Sequence, residues 1–299
     1  MGNDIADSYP VARETFQQAD DILGFSLSTL CFEGTEDVLT DTINTQPALY
    51  VCGVAILRAL QSQLPDAIPA YVAGHSLGEF TALTAAGALS FEEGVRLVRE
   101  RGRLMREAGN ISPGAMAALL GLDTETVHAI CTRAREQTDG VLVLANDNCP
   151  GQIVISGDDE TLDVGLALAT EAGARRAVKL AVSIAAHSPL MESVAISFRE
   201  TLAQTAFSEA QVPVYANVTA EPITSAEAIR EELGAQLTGS VRWTESMQAM
   251  INAGAERFVE IGPKDVLSGL LRRIDRDRER VSLNSTASLQ QFIEGVAAG

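Results

Sequence analysis

Residues 70–89 read AYVAGHSLGEFTALTAAGAL. A short apolar run predicts a strand near 69–73, and the apolar pattern from Leu77 to Ala88 predicts a helix. Between them Gly74-His75-Ser76-Leu77-Gly78 fits a strand–turn–helix elbow. In such an elbow the serine sits on a sharp, strained turn. Glycine two positions either side lets the backbone pass close to it, and Oγ is lifted out of the sheet. The helix N-terminus favours negative charge nearby, and the Leu77 N–H becomes a candidate oxyanion donor. The competing reading is a serine N-cap in a tight turn.

Outward from the elbow, period-3.6 apolar patterns predict helices near 10–22, 46–63, 77–88, 91–108, 124–137, 159–172, 189–204, 225–237, 243–253 and 264–275. Apolar or β-branched runs predict strands near 69–73, 115–121, 140–145, 152–156, 175–180, 212–217 and 257–261. The alternation implies an α/β fold, a hydrolase-like body with a mostly parallel sheet. From Ala115 the order changes to strand (AMAALLG), helix (TETVHAICTRAREQ), strand (VLVLAN), strand (QIVISG), helix (ETLDVGLALATEAG), strand (RRAVKL). That β-α-β-β-α-β order is the ferredoxin-like split pattern. Residues 113–180 are therefore expected as an inserted small subdomain, with 1–112 and 181–299 forming the large body. A cleft between two such lobes is a common ligand site.

The 299 residues suggest about two structural units at ~150 residues each. Apolar residues at 46% and charged residues at 21% fit an ordinary globular chain and set aside disorder and coiled coil. The longest apolar stretch, Ala48 to Leu57, falls short of the ~20 residues that span a bilayer. No basic segment followed by an apolar one opens the chain, so no secretory signal is expected. Cys31, Cys52, Cys131 and Cys149 are widely spaced and read as reduced thiols of a cytoplasmic protein, with no metal site. A net charge of −18 argues against nucleic acid or an anionic membrane as partner. The only lysines are Lys179 and Lys264, and this acid-rich surface suits a protein kept soluble in high salt. An acidic protein from an arginine-preferring genome reads the same way.

A serine nucleophile needs a base, and the chain has three histidines. His75 lies in the elbow, where its side chain should point away from that of Ser76. His128 falls on an amphipathic pattern and reads as structural. His187, in a small-residue loop before a helix, is the candidate base by elimination. Asn146 and Asn148 end the strand VLVLAN and are candidates to contact an acyl group. Arg101 lies in VRLVRERGRLMREAG, where any one arginine reads first as a solvated surface residue.

Gly74-His75-Ser76-Leu77-Gly78-Glu79 with Arg101 resembles the malonyl-CoA:acyl carrier protein transacylases and the related acyltransferase domains of polyketide synthases. So do Thr45-Gln46-Pro47-Ala48-Leu49, Asn148-Cys149-Pro150-Gly151-Gln152, His187-Ser188 before Leu190-Met191, Asn217-Val218-Thr219 and Ile261-Gly262-Pro263, all in family order. The resemblance implies that Ser76 takes a malonyl group from malonyl-CoA and passes it to the phosphopantetheine thiol of acyl carrier protein. His187 would serve both half-reactions, oriented by a backbone carbonyl at Gln236 rather than by an aspartate. Arg101 would hold the malonyl carboxylate through a two-pronged hydrogen bond that lysine cannot imitate. Asn148 and His75 would help bind substrate. No cofactor is implied, and a monomer serving fatty acid or polyketide synthesis is expected.

Two departures from the family pattern stand out. The family opens with a buried strand and a Gly-Gln-Gly-Ser-Gln loop that supplies a second oxyanion donor, whereas this sequence opens Met1-Gly2-Asn3-Asp4. With every later motif intact, the expectation is a start placed too late. The alternative is a catalytically impaired docking module for carrier proteins. Ala186 stands before His187 where malonyl-selecting modular enzymes usually have phenylalanine, leaving more room beside the acyl α-carbon. A serine esterase of α/β-hydrolase type is the other alternative, but it predicts a histidine near the C-terminus, and the last one here is His187. Arg272, Arg273, Arg276, Arg278 and Arg280 are candidates for docking an acidic carrier, or a solvated helix end paired with Asp275, Asp277 and Glu279.

Overall fold

The computed structural model describes residues 1–297, a mixed α/β protein. Its strands are β1 (Val72–Ala73), β2 (Ala115–Leu120), β3 (Leu142–Cys149), β4 (Gln152–Gly157), β5 (Arg176–Lys179), β6 (Val214–Tyr215), β7 (Pro222–Ile223), β8 (Arg257–Ile261) and β9 (Glu279–Leu283). The largest sheet has the order β3-β4-β2-β5 and is antiparallel throughout. Among the described residues parallel pairing occurs in two short ladders, β1 with β6 and β8 with β9, and one bridge, Asn146 with Val241, rather than in one continuous sheet.

The helix Thr42–Gln63 explains the centre of the body. It is apolar on nearly every side, and Tyr50, Val51, Cys52, Val54 and Ile56 are all buried, as a helix surrounded by protein must be. Against it lies Phe91–Ile111, capped by Ser90 and strongly amphipathic, with Val95, Leu97, Val98 and Leu104 turned inward. A second core forms between β2, β3, β4 and the helices Thr124–Thr138 and Asp159–Glu171, from residues such as Leu119, Ile130, Leu142, Ile155 and Leu162. A third, around Trp243, Met247 and Leu271, packs beneath the end of β3 at Cys149.

Strand β3 carries two register shifts, between Leu144 and Asn146 and between Asp147 and Cys149. Bulges bend a strand and re-aim its side chains. Here they let β3 bond outside its own sheet: Asp147 N–H donates to the Val241 carbonyl at 2.9 Å, and Val241 N–H donates to Ala145 at 2.8 Å. The Asp147 carboxylate accepts from Thr124 at 3.1 Å and from Thr244 at 2.6 Å. Three of these hydrogen bonds fix the end of β3 against the segment 241–244, and the fourth ties it to the start of the helix Thr124–Thr138.

Several elements escape the periodicity. Asn3–Ser8, Leu27–Glu33 and Glu36–Thr40 are too short to show an apolar stripe, and Thr286–Ala297 buries only Leu289. The arginine-rich run is divided: Arg272 and Arg273 lie in the last turn of a helix, as expected, and Arg280 lies on a strand. The helix stops at Ile274, and Glu279–Leu283 pairs with β8 as a strand.

Contact between the two long helices depends on Gly94, where an added Cβ would lie 1.9 Å from the Tyr50 hydroxyl. Alanine by propensity would stabilise an exposed helix by ~1 kcal/mol over glycine. Here overpacking reverses the sign, and Gly94→Ala should lower stability by about 1–3 kcal/mol. A urea titration checks this as a lower midpoint at unchanged slope.

Candidate active site

Strand β1 ends at Ala73, and the chain turns through Gly74–Leu77 into the helix Gly78–Ala85. Ser76 adopts φ 50°, left-handed backbone that costs a non-glycine residue about 1–2 kcal/mol. Its surroundings enforce it. Ser76 N–H donates to Asn217 Oδ1 at 2.7 Å, Asn217 Nδ2 donates to the Gly74 carbonyl at 2.8 Å, and Gln236 Nε2 donates to the Ser76 carbonyl at 3.0 Å. A Cβ on Gly74 would stand 2.0 Å from the Gly78 carbonyl, so only glycine closes this turn. Leu77 N–H donates to no protein acceptor among the described residues.

His187 lies 4% exposed before the turn Pro189–Met191, itself at φ 59°. Its Nδ1 lies 2.8 Å from the Gln236 carbonyl and 3.2 Å from that of Gly239. Two carbonyls at Nδ1 place the ring proton there, which leaves Nε2 as an acceptor. The Ser76 hydroxyl then donates to Nε2 at 2.9 Å. Burial, reinforced by the Arg101 charge, pushes the His187 pKa down to about 3. The imidazole is therefore a neutral acceptor at any ordinary pH.

Arg101, 2% exposed, reaches this pair from the helix Phe91–Ile111. Nη1 donates to Gln46 Oε1 at 2.8 Å. Nη2 donates to Gln236 Oε1 at 2.9 Å and to Ser76 Oγ at 3.0 Å. All three acceptors are neutral oxygens, and Nε is buried without a partner. Burial lowers the pKa to about 10, partly offset by Glu79, so the group stays charged. A buried cation met only by neutral oxygens is costly until an anion joins it.

Ser76, His187, Arg101 and Gln236 thus form one hydrogen-bonded group. Asn148 and His75 form a second pair beside it. His75 Nε2 lies 2.7 Å from Asn148 Oδ1, and its ring tilts against Trp243 at 5.6 Å. Asn146 instead bridges to Val241, and His128 is exposed on its helix. Gln46, legible in the sequence only as a helix start, lies inside the helix Thr42–Gln63 and holds Arg101. Glu79, buried, carried a faint signal, a carboxylate within an otherwise apolar helix pattern, whereas Glu232, also buried, lies among Arg230 and Glu231 and carried none. Among the described residues no group of three or more His, Cys, Asp or Glu side chains is placed to hold a metal ion.

The depressed His187 pKa has two consequences. The rate of Ser76 acylation should stay flat between pH 7 and pH 5, where an ordinary histidine would protonate. Stability shows the same shift: the unfolded chain binds a proton near pH 6.5 that the folded chain refuses until about 3. The stability of the wild type relative to His187→Ala is therefore constant above pH 7 and falls steadily from about pH 6.5 towards 3. Denaturant titrations of both proteins across that range check it.

Residues 1–290 match the family described as the acyl transferase domain. The chain is 41% identical over 294 residues to the malonyl CoA-acyl carrier protein transacylase of Bacillus subtilis strain 168, covering 98% of this chain and 92% of that protein. It is 40% identical over 291 residues to the protein of that name from Escherichia coli K12, covering 97% and 93%. The solved malonyl CoA-acyl carrier protein transacylase of Coxiella burnetii superposes with a TM-score of 0.94 at 38% identity, over 98% of this chain and 92% of that one. A type II PKS malonyl-transacylase solved in complex with its acyl-carrier protein gives 0.93 at 39%, over 98% and 94%. With this likeness running the length of the described fold, the chain belongs to the malonyl CoA-acyl carrier protein transacylase family of acyl transferase domains.

Proposed function

We propose that this protein transfers a malonyl group from malonyl-CoA to the phosphopantetheine thiol of an acyl carrier protein through an acyl-enzyme on Ser76. Ser76 Oγ attacks the thioester carbonyl as its proton passes to His187 Nε2. The oxyanion accepts from Leu77 N–H, collapse expels the coenzyme A thiolate, and that sulfur takes the proton from Nε2. The carrier thiol then gives its proton to Nε2 and attacks the acyl carbonyl, and Ser76 Oγ leaves and is reprotonated. Gln236 and Gly239 carbonyls hold the imidazolium that forms in both halves, as the aspartate does in a serine hydrolase triad. Asn148 on β3 and His75 next to Ser76 are bonded to each other, and we read them as substrate contacts.

The observation that carries this reading is Arg101: a buried guanidinium, 3.0 Å from the nucleophile, with only neutral oxygens as partners. A malonyl carboxylate would satisfy it, whereas an acetyl group would leave the charge unmatched. We also read the chain as a hydrolase-like body of residues 1–112 and 181–299 carrying a ferredoxin-like subdomain at 113–180. The β3-β4-β2-β5 order and the separate core between that sheet and its two helices support it. Four free, buried cysteines suit the cytoplasm, and no described helix is long and apolar enough to cross a membrane.

The carrier dock narrows on inspection of the arginine run. Arg273 donates to Gln152 at 2.7 Å and to the Pro150 carbonyl at 3.0 Å. Arg278 pairs with Asp275 at 3.0 Å, and Arg280 donates to backbone carbonyls of the run itself. Arg272 and Arg276 are exposed and keep their guanidinium groups for an acidic partner.

Intact-mass spectrometry with malonyl-CoA should show a malonyl adduct that vanishes in Ser76→Ala. In Arg101→Ala the preference for malonyl over acetyl should fall by about a hundredfold, the worth of a charged hydrogen-bonded contact. An adduct persisting in Ser76→Ala would overturn the mechanism. Arg272→Glu with Arg276→Glu should raise KM for carrier protein about tenfold at low salt and leave acylation by malonyl-CoA unchanged. Steady-state kinetics at two ionic strengths check it.

A further inference from the structure

The Gln236 side chain serves three neighbours at once. Its Nε2 donates to the Ser76 carbonyl at 3.0 Å and to a Glu79 carboxyl oxygen, and its Oε1 accepts from Arg101 Nη2 at 2.9 Å. An amide has two ends of similar size and opposite polarity. Turned over, it would set NH₂ against the guanidinium, donor against donor. The acceptors at its nitrogen end therefore decide what Arg101 meets.

One of those acceptors is Glu79, fully buried in the first turn of the helix Gly78–Ala85. Its other oxygen accepts from Asn217 N–H at 3.2 Å, and the Asn217 side chain in turn holds the backbone of Ser76 and Gly74. Burial, and then the carboxyl group of Glu232 nearby, raise the Glu79 pKa well above the ordinary carboxyl range. The donors at its two oxygens, Gln236 Nε2 and Asn217 N–H, and the Arg101 charge oppose that rise, because each favours the ionised form, which accepts on both sides. An apolar residue here would avoid the cost of burying a carboxyl group, but it would offer the amide nothing.

We propose that Glu79 is a positioning residue for acyl selection. As an acceptor on both oxygens it fixes the polarity of the Gln236 amide, which keeps the Arg101 fork aimed beside Ser76 Oγ for the substrate carboxylate. This inference rests on the function proposed above. Glu79→Gln replaces one acceptor by a donor. The Asn217 N–H belongs to the backbone and cannot turn, so the new NH₂ faces Gln236 and turns its amide or pushes it away. Arg101 then loses one of its fixed acceptors, while the Gln236 carbonyl that orients His187 stays in the main chain.

The test is the rate of Ser76 acylation by malonyl-CoA and by acetyl-CoA, followed by intact mass in wild type and Glu79→Gln. The malonyl-to-acetyl ratio should fall about tenfold in the variant, the worth of one lost hydrogen bond to a charged group. A purely scaffolding role would lower both rates together, and a ratio unchanged from wild type overturns the inference alone. No malonyl adduct on wild type overturns the proposed function and this inference with it. Should Glu79→Gln fail to fold, Gln236→Met removes the amide and keeps the main-chain carbonyl. The same fall in ratio is expected there, and an unchanged ratio overturns the inference.

Discussion

A guanidinium has been taken out of water at Arg101 and placed within hydrogen-bond reach of a serine hydroxyl, with no carboxylate among its three partners. Much of the surrounding structure answers that one constraint. The long helix Phe91–Ile111 delivers the side chain, Gln46 and Gln236 supply neutral oxygens from two other helices, and Ser76 completes the set. Neutral acceptors satisfy the N–H groups without neutralising the charge, so a carboxylate arriving later still gains the full electrostatic attraction. A glutamate in place of Gln46 would pair with the guanidinium and compete with an anionic acyl group, and one in place of Gln236 would also set a carboxylate against Glu79.

The same charge also bears on the histidine beside the serine. Burial first and the Arg101 charge second keep His187 neutral, as the proposed acceptor of the Ser76 proton has to be. In the proposed reaction the Gln236 and Gly239 carbonyls, both at Nδ1, would hold the imidazolium formed on the way. A carboxylate in that place would also have offered Arg101 a competing anionic partner. A main-chain carbonyl avoids that competition, because it orients the ring and carries no net charge.

Strain at two residues holds these groups in register. Ser76 and His187 both sit in left-handed backbone, and each is held by bonds from distant parts of the chain. Asn217 grips the elbow on both sides, and His187 N–H donates to the Leu237 carbonyl at 3.0 Å. Such conformations persist only where the surroundings over-determine them. The bulged end of β3 brings Asn148 to His75, the residue next to Ser76.

Residues 70–89 and the β-α-β-β-α-β order from Ala115 carry their own geometry, because helix and strand periods and the glycines of a tight turn are local properties. The alternating α/β character, most helices, the elbow and the choice of His187 over His75 and His128 were legible on that basis. Short elements such as Asn3–Ser8 and β9 were not, since too few residues turn inward to leave a period. Nor were the places of Gln46 and Glu79, for a buried polar side chain in an apolar helix pattern reads the same whether it is tolerated or used. Arg101 shows the limit most clearly: among the many arginines of its helix, local pattern cannot say which is dry. Hydrogen bonds between residues as far apart as Ser76 and Gln236 are made only when the whole chain has packed, and those bonds decide which arginine meets the serine, which carbonyl meets the histidine and which end of an amide faces the charge.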